Sequence, residues 1–161
     1  MDLDKFRKKA EEVKKENQKF LQNLKKKKPK NLDNLFHKTH EEVFQSIDCL
    51  DCANCCKTTS PIFKNRDIQR IAKHFRMKPN DFIDKYLKID DENDYVLKSS
   101  PCPFLGQDNY CHIYDVRPDA CAEFPHTNRR KMNQILNLTF QNTMVCPAVL
   151  EIVEKMKSKI K

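Results

Sequence analysis

Four of the eight cysteines in this 161-residue chain fall within eight positions, Cys49-Leu50-Asp51-Cys52-Ala53-Asn54-Cys55-Cys56. The other four, Cys102, Cys111, Cys121 and Cys146, are dispersed farther along the chain. A short loop that offers thiols at three-residue spacing wraps several sulfurs around one point. Few structures other than a metal centre need that. The fold is therefore expected to be organised in part around metal-bound cysteine, with all eight cysteines as candidate ligands.

The C-x-x-C turn brings two sulfurs to one ion and lets backbone N–H groups point at them. Here it occurs twice in overlap, as Cys49–Cys52 and Cys52–Cys55. C-x2-C-x2-C also opens the run that holds three corners of a [4Fe–4S] cluster, with a Cys-Pro elsewhere as the fourth. Cys146-Pro147 would serve, although the usual C-x3-C-P continuation is missing. Cys55 and Cys56 are adjacent, and neighbouring side chains point apart, so two centres sharing the loop would use both. Eight cysteines divide into two four-sulfur sites; one such site with leftover thiols is the competing count. Sulfur donors exclude magnesium and calcium but suit zinc and iron alike. His40, His112 and His126 are reserve ligands, each read first as an ordinary satisfied histidine.

Charge separates the chain into two parts. Residues 1–31 carry twelve basic against five acidic side chains, most of the net +8; residues 32–161 carry nineteen against eighteen. Four thiolates on a divalent ion add −2, so a metal-bound body is neutral or acidic. Nucleic acid is not an expected partner of the body, and only the N-terminal arm offers a surface for one. The single glycine, Gly106, excludes glycine-rich phosphate loops. The opening residues show no signal peptide and no apolar run reaches a membrane span, so the expected compartment is the cytoplasm, where thiols stay reduced.

Residues 1–30 are expected to form a basic amphipathic helix, and residues 31–161 a cysteine-cluster metal-binding domain. Leu3, Phe6, Ala10, Val13, Asn17, Phe20 and Leu24 follow a heptad. That pattern fits a helix folded onto its own domain, or a short coiled coil that makes a homodimer with Asn17 fixing its register. Pro29 ends it. A second helix is expected over Leu32–Ile47, further helices from Asn65 or Asp67 and from Pro79 through Leu87, and a last one with Pro147 in its first position. Tyr95–Leu97 reads as a strand, and 105–110 as a hairpin tip between cysteines. The expected fold class is α+β, mainly helical, a small single domain with an irregular metal-stapled cysteine centre and a short β-hairpin.

Cys102-Pro103-Phe104-Leu105 is followed by Cys111-His112-Ile113-Tyr114 and then by Arg117-Pro118-Asp119-Ala120-Cys121-Ala122-Glu123-Phe124-Pro125. With the C-x2-C-x2-C-C loop, these residues resemble the zinc- or iron-chelating cysteine-cluster family, also called the YkgJ family. The resemblance runs from Cys49 to about Pro147. It implies a domain that binds zinc or iron, or an iron–sulfur cluster, through all eight cysteines, in one or two centres. It implies little about activity, and no catalytic residue is singled out. A similar cysteine arrangement in flagellin lysine N-methylases raises a second reading, an iron–sulfur-dependent oxidoreductase or methyl-transfer enzyme, for which this chain is short. A third reading is a zinc module that binds nucleic acid through its N-terminal helix. Arg117 has two readings, a guanidinium that offsets the charge of a thiolate centre and, read first, a residue that ties Asp115 or Asp119 to a helix start; Tyr114 and Phe104 are expected to pack around the site.

Overall fold

The computed structural model describes residues 1–160; residue 161, the last of the expected 31–161 domain, lies outside the described residues. In chain order the helices are α1 (Leu3–Lys27), α2 (Leu32–Phe44), α3 (Cys49–Cys52), α4 (Asn54–Thr58), α5 (Asn65–His74), α6 (Pro79–Tyr86), α7 (Asp119–Glu123), α8 (Leu136–Thr143) and α9 (Pro147–Lys159). Two strands, β1 (Leu87–Ile89) and β2 (Tyr95–Leu97), form an antiparallel pair. This is the mainly helical α+β class that the sequence pattern implies. Among the described residues no helix is long and apolar enough to cross a membrane. The chain forms two compact units, residues 1–52 with the segment from Pro125 onward, and residues 53–124.

The first unit is a helical bundle. Asp2 caps α1 by accepting the Lys5 amide at 3.0 Å, and Lys28, at φ 46°, ends it just before Pro29. The stripe Phe6, Ala10, Val13, Asn17, Leu21 and Leu24 is buried, and α1 lies against α8 and α9. Leu21 takes the place the heptad assigns to Phe20. A straight helix drifts about 20° per seven residues, which moves the stripe one residue on. Asn17 is fully buried, and neither its amide nitrogen nor its oxygen has a hydrogen-bond partner among the described residues. Such a group costs about 1–3 kcal/mol, which the apolar stripe around it outweighs. α2 packs on α9 and ends at Phe44, three residues before the expected Ile47. Asp33 in its first turn accepts the amides of Lys131 and Met132, both at 2.8 Å. α9 begins with Pro147 in its first turn, and Ala148, Val149, Ile152, Val153 and Met156 are fully buried.

The second unit is built on aromatic rings. Phe104 stacks on Phe82 (6.2 Å, 10°) and on Phe75 (5.7 Å), and Tyr86 meets it at 4.9 Å. Ile68, Ile71 and Ala72 of α5 complete the same core. Leu87 leaves α6 for the strand, pairing opposite Leu97, and both leucines are buried in the core of this unit from the strand pair. At residues 105–111 a bridge between Leu105 and Cys111 closes the expected hairpin tip. The tip is close at Gly106: a Cβ there would stand 2.7 Å from Asp108 Oδ1 and 2.9 Å from His112 Nε2, and both side chains would have to move aside.

Candidate metal centre

The cysteine loop divides between the units. α3 places Cys49 and Cys52 one helical turn apart. Ala53 then adopts the left-handed conformation, φ 48°, and α4 restarts with Cys55 and Cys56 as neighbours within it. A residue in that conformation between two right-handed turns redirects the chain. So Cys49 and Cys52 belong to the first unit with Cys146, while Cys55 and Cys56 belong to the second with Cys102, Cys111 and Cys121.

In the second unit the Cys102 amide donates to the Cys56 carbonyl at 2.8 Å. The Leu105–Cys111 bridge then returns the chain, and the His112 amide donates to the Phe104 carbonyl at 2.8 Å. The thiols feel one another's charge. Burial pushes Cys102 up to about 11, and Cys56 and Cys111 push the same way. Burial pushes Cys121 up to about 12, helped by Cys56, Cys102 and Cys111 and opposed by Arg117. Cys111 is raised by burial and by Cys56, again against Arg117. Cys56 goes the other way, to about 7, chiefly because the Cys55 thiol hydrogen-bonds it. In the first unit burial pushes Cys146 up to about 11, with Cys49 and Cys52 adding to the shift. Among the described residues, no three His, Cys, Asp or Glu side chains stand in a ready-made metal-holding group. The thiols share neighbourhoods without forming a coordination shell.

Each of three cysteines carries the same local device. The amides of Phe104 and Leu105 point at the sulfur of Cys102, that of Ile113 at Cys111, and those of Ala148 and Val149 at Cys146. Residue i+2 is in every case a core residue: Phe104 (4 % exposed), Ile113 (3 %) and Ala148 (1 %). The buried side chain therefore fixes its own N–H against the preceding sulfur. Amide donors stabilise thiolate over thiol, and neutral sulfur is a poor acceptor. The donor set, desolvated sulfurs with amides already aimed, fits a thiolate-bound ion of zinc or iron.

Other candidate residues have local roles. His40 Nδ1 lies 2.7 Å from Thr127 Oγ1, and its ring meets Phe44 at 4.5 Å. His112 sits on the exposed hairpin tip, and His126 is half-buried in the first unit at φ 66°. Arg117 does not bind an aspartate in the way the sequence suggests. Its Nη1 donates to the Tyr114 carbonyl at 2.6 Å, and its guanidinium lies 4.0 Å from the centre of the Tyr114 ring. There its charge opposes the upward shift of Cys111 and Cys121. Asp119 is instead held by Arg66 and, at 3.6 Å, by Arg70.

The residue that sequence reasoning underrates is Asp67. Read there only as a possible helix cap, it is fully buried and accepts the Lys64 amide (2.9 Å), the Asp119 amide (3.1 Å) and Arg70 Nη2 (2.8 Å). It thereby fastens α5 to the start of α7, which carries Cys121. Burial favours its neutral form, but the two amides and Arg70 prevail and hold its pKa below the ordinary value. Its contribution is thus present above the ordinary aspartate range and is lost as pH falls below about 4. Asp67→Asn swaps an acceptor for an NH2 facing backbone donors. It is expected to destabilise the second unit by about 2–4 kcal/mol, read by urea denaturation, and to weaken metal retention about 10–100-fold.

A family model described as a "putative zinc- or iron-chelating domain", and named for its CxxCxxCC motif, matches residues 48–146, and the chain belongs to that family. No curated protein matched the chain, and no solved structure did.

Proposed function

We propose that this member of the CxxCxxCC family is a metal-holding module in which all eight cysteines are the donor pool. Cys56, Cys102, Cys111 and Cys121 hold one ion in residues 53–124, with Cys55, whose thiol hydrogen-bonds Cys56, as the spare donor beside them. Cys49, Cys52 and Cys146 supply a separate centre. The observation that carries the reading is the set of backbone amides aimed at the sulfurs of Cys102, Cys111 and Cys146 by core residues two positions on. A bound zinc or iron ion supplies the positive charge that lets several desolvated thiolates stand together. The chain's residues set the sulfurs, donate hydrogen bonds to them and, through Arg117, offset part of their charge. That is a holding role, and it requires no reactive side chain. A [4Fe–4S] cluster is the finer alternative for the same ligands, since Cys146-Pro147 at the start of α9 has the form of a cluster-binding Cys-Pro.

Anaerobic purification followed by elemental and sulfide analysis tests this. Two equivalents of zinc, or of iron without sulfide, per chain are expected. Iron with stoichiometric acid-labile sulfide would select the cluster instead. A folded protein free of transition metal, with eight titratable thiols, would overturn the proposal.

A further inference from the structure

Eight cationic side chains from two segments about a hundred residues apart meet at one corner of the first unit. Lys25, Lys26, Lys27 and Lys28 close α1, and Lys30 follows Pro29. Arg129, Arg130 and Lys131 form the turn that leads into the 3-10 turn Met132–Gln134. Three contacts join the segments. Asp33, three residues after Lys30, accepts the amides of Lys131 and Met132. His37, one turn further along α2, meets the Arg129 carbonyl at 2.8 Å. The Met132–Gln134 turn also touches α1. All eight side chains are exposed, and none takes part in an ion pair among the described residues. The Asp33 carboxylate is engaged by backbone donors.

A helix C-terminus favours lysine by about 0.3–1 kcal/mol each, but only within its last turn. That accounts for Lys25–Lys28. It does not account for Lys30, nor for three further bases brought to the same place by Asp33. Eight like charges held together repel one another, and a dense anion relieves that repulsion.

The geometry points to a docking surface for the phosphate backbone of a nucleic-acid duplex. Within the first unit the exposed large hydrophobic side chains are Met1 and Leu138, and neither is aromatic. A single strand would find no stacking platform, and a membrane would find no apolar anchor beside the charge. The corner reads charge without base sequence. It is independent of the cysteine centres, and it differs from the N-terminal helix alone in requiring Arg129 and Arg130.

The test is fluorescence anisotropy of the full metal-loaded chain with a labelled 20-base-pair DNA duplex across 50–200 mM KCl. Neutralising about four to six phosphates gives a log–log salt slope of about −3.6 to −5.4. Arg129→Glu/Arg130→Glu and Lys26→Glu/Lys27→Glu are each expected to weaken binding more than tenfold at 100 mM KCl. Circular dichroism checks folding, and Arg129→Gln/Arg130→Gln serves as the milder variant, with at least a threefold loss expected. Absence of binding at 50 mM KCl overturns the proposal, as does unchanged affinity in both Arg129/Arg130 variants. Tighter binding to a single-stranded RNA of equal length, or to phosphatidylserine vesicles, than to the duplex overturns the choice of partner.

Discussion

Cys102→Ser is expected to lose the ion of residues 53–124 and, with it, the order of the segment that carries Cys111 and Cys121. A serine hydroxyl does not ionise at neutral pH, so three thiolates would remain where four are needed. The amides of Phe104 and Leu105 would then face a neutral oxygen. Between β2 and the end of this unit the chain has only one short 3-10 turn, Tyr114–Val116, and α7, five residues long. Such a segment gains little from its own backbone. Its order rests on Phe104 and Ile113 in the core and on Asp67 and, in the proposed reading, on the shared ion. Structural zinc contributes about 10–16 kcal/mol of apparent binding free energy in small domains. Losing one of four ligands is expected to weaken binding beyond the 10–100-fold typical of outer partners. Metal content should fall from two equivalents to one, and amide exchange in residues 102–121 should accelerate while that of α5 and α6 stays slow. Cys102→Ser with two ions still bound would remove Cys102 from the ligand set.

The second large effect is of pH on metal uptake. A thiol must lose its proton to bind. Cys102 and Cys121 stand near 11 and 12, Cys111 is raised, and Cys56 stands near 7. Between pH 7.5 and 9 the thiols of Cys102 and Cys121 are protonated in the metal-free chain, and Cys111 keeps its proton to higher pH than an ordinary thiol. Each proton displaced changes the apparent affinity about tenfold per pH unit. Affinity should therefore fall by at least about a hundredfold per unit as pH is lowered through that range, from Cys102 and Cys121 with Cys111 adding to it, and more steeply below pH 7 as Cys56 also takes up a proton. Competition with a chelator of known pH dependence measures the slope. The metal-free chain shows the reverse linkage. Its raised thiols are neutral when folded, so their contribution is intact below the ordinary thiol value of about 8.5 and declines as pH rises through 11 to 12. A slope near zero in the competition experiment would mean that the ion does not bind these thiols.

Much of this was legible in the sequence because it is written in local chemistry. Pro147 marks a helix start, Pro29 a helix end, and Tyr95–Leu97 a strand, each through its own backbone preference. The cysteine spacing pointed to the zinc- or iron-chelating family, and Cys-Pro-Phe and Cys-His-Ile already hold the i+2 pattern. Three features could not be read that way. Ala53 has no residue signature for a left-handed backbone, so the break that parts Cys52 from Cys55 left no trace. Asp67 looks like any first-turn acid until Asp119, fifty-two residues later, folds onto it. α8 has weak periodicity and no side-chain cap, and only packing against α1 and α9 makes it a helix.

The i+2 plugs have a biological corollary. Because one residue both fills the hydrophobic interior and orients a donor toward sulfur, ion supply and chain maturation become a single checkpoint. Newly made protein in a metal-starved cell would keep that stretch open to proteases, so its abundance would follow the available zinc or iron.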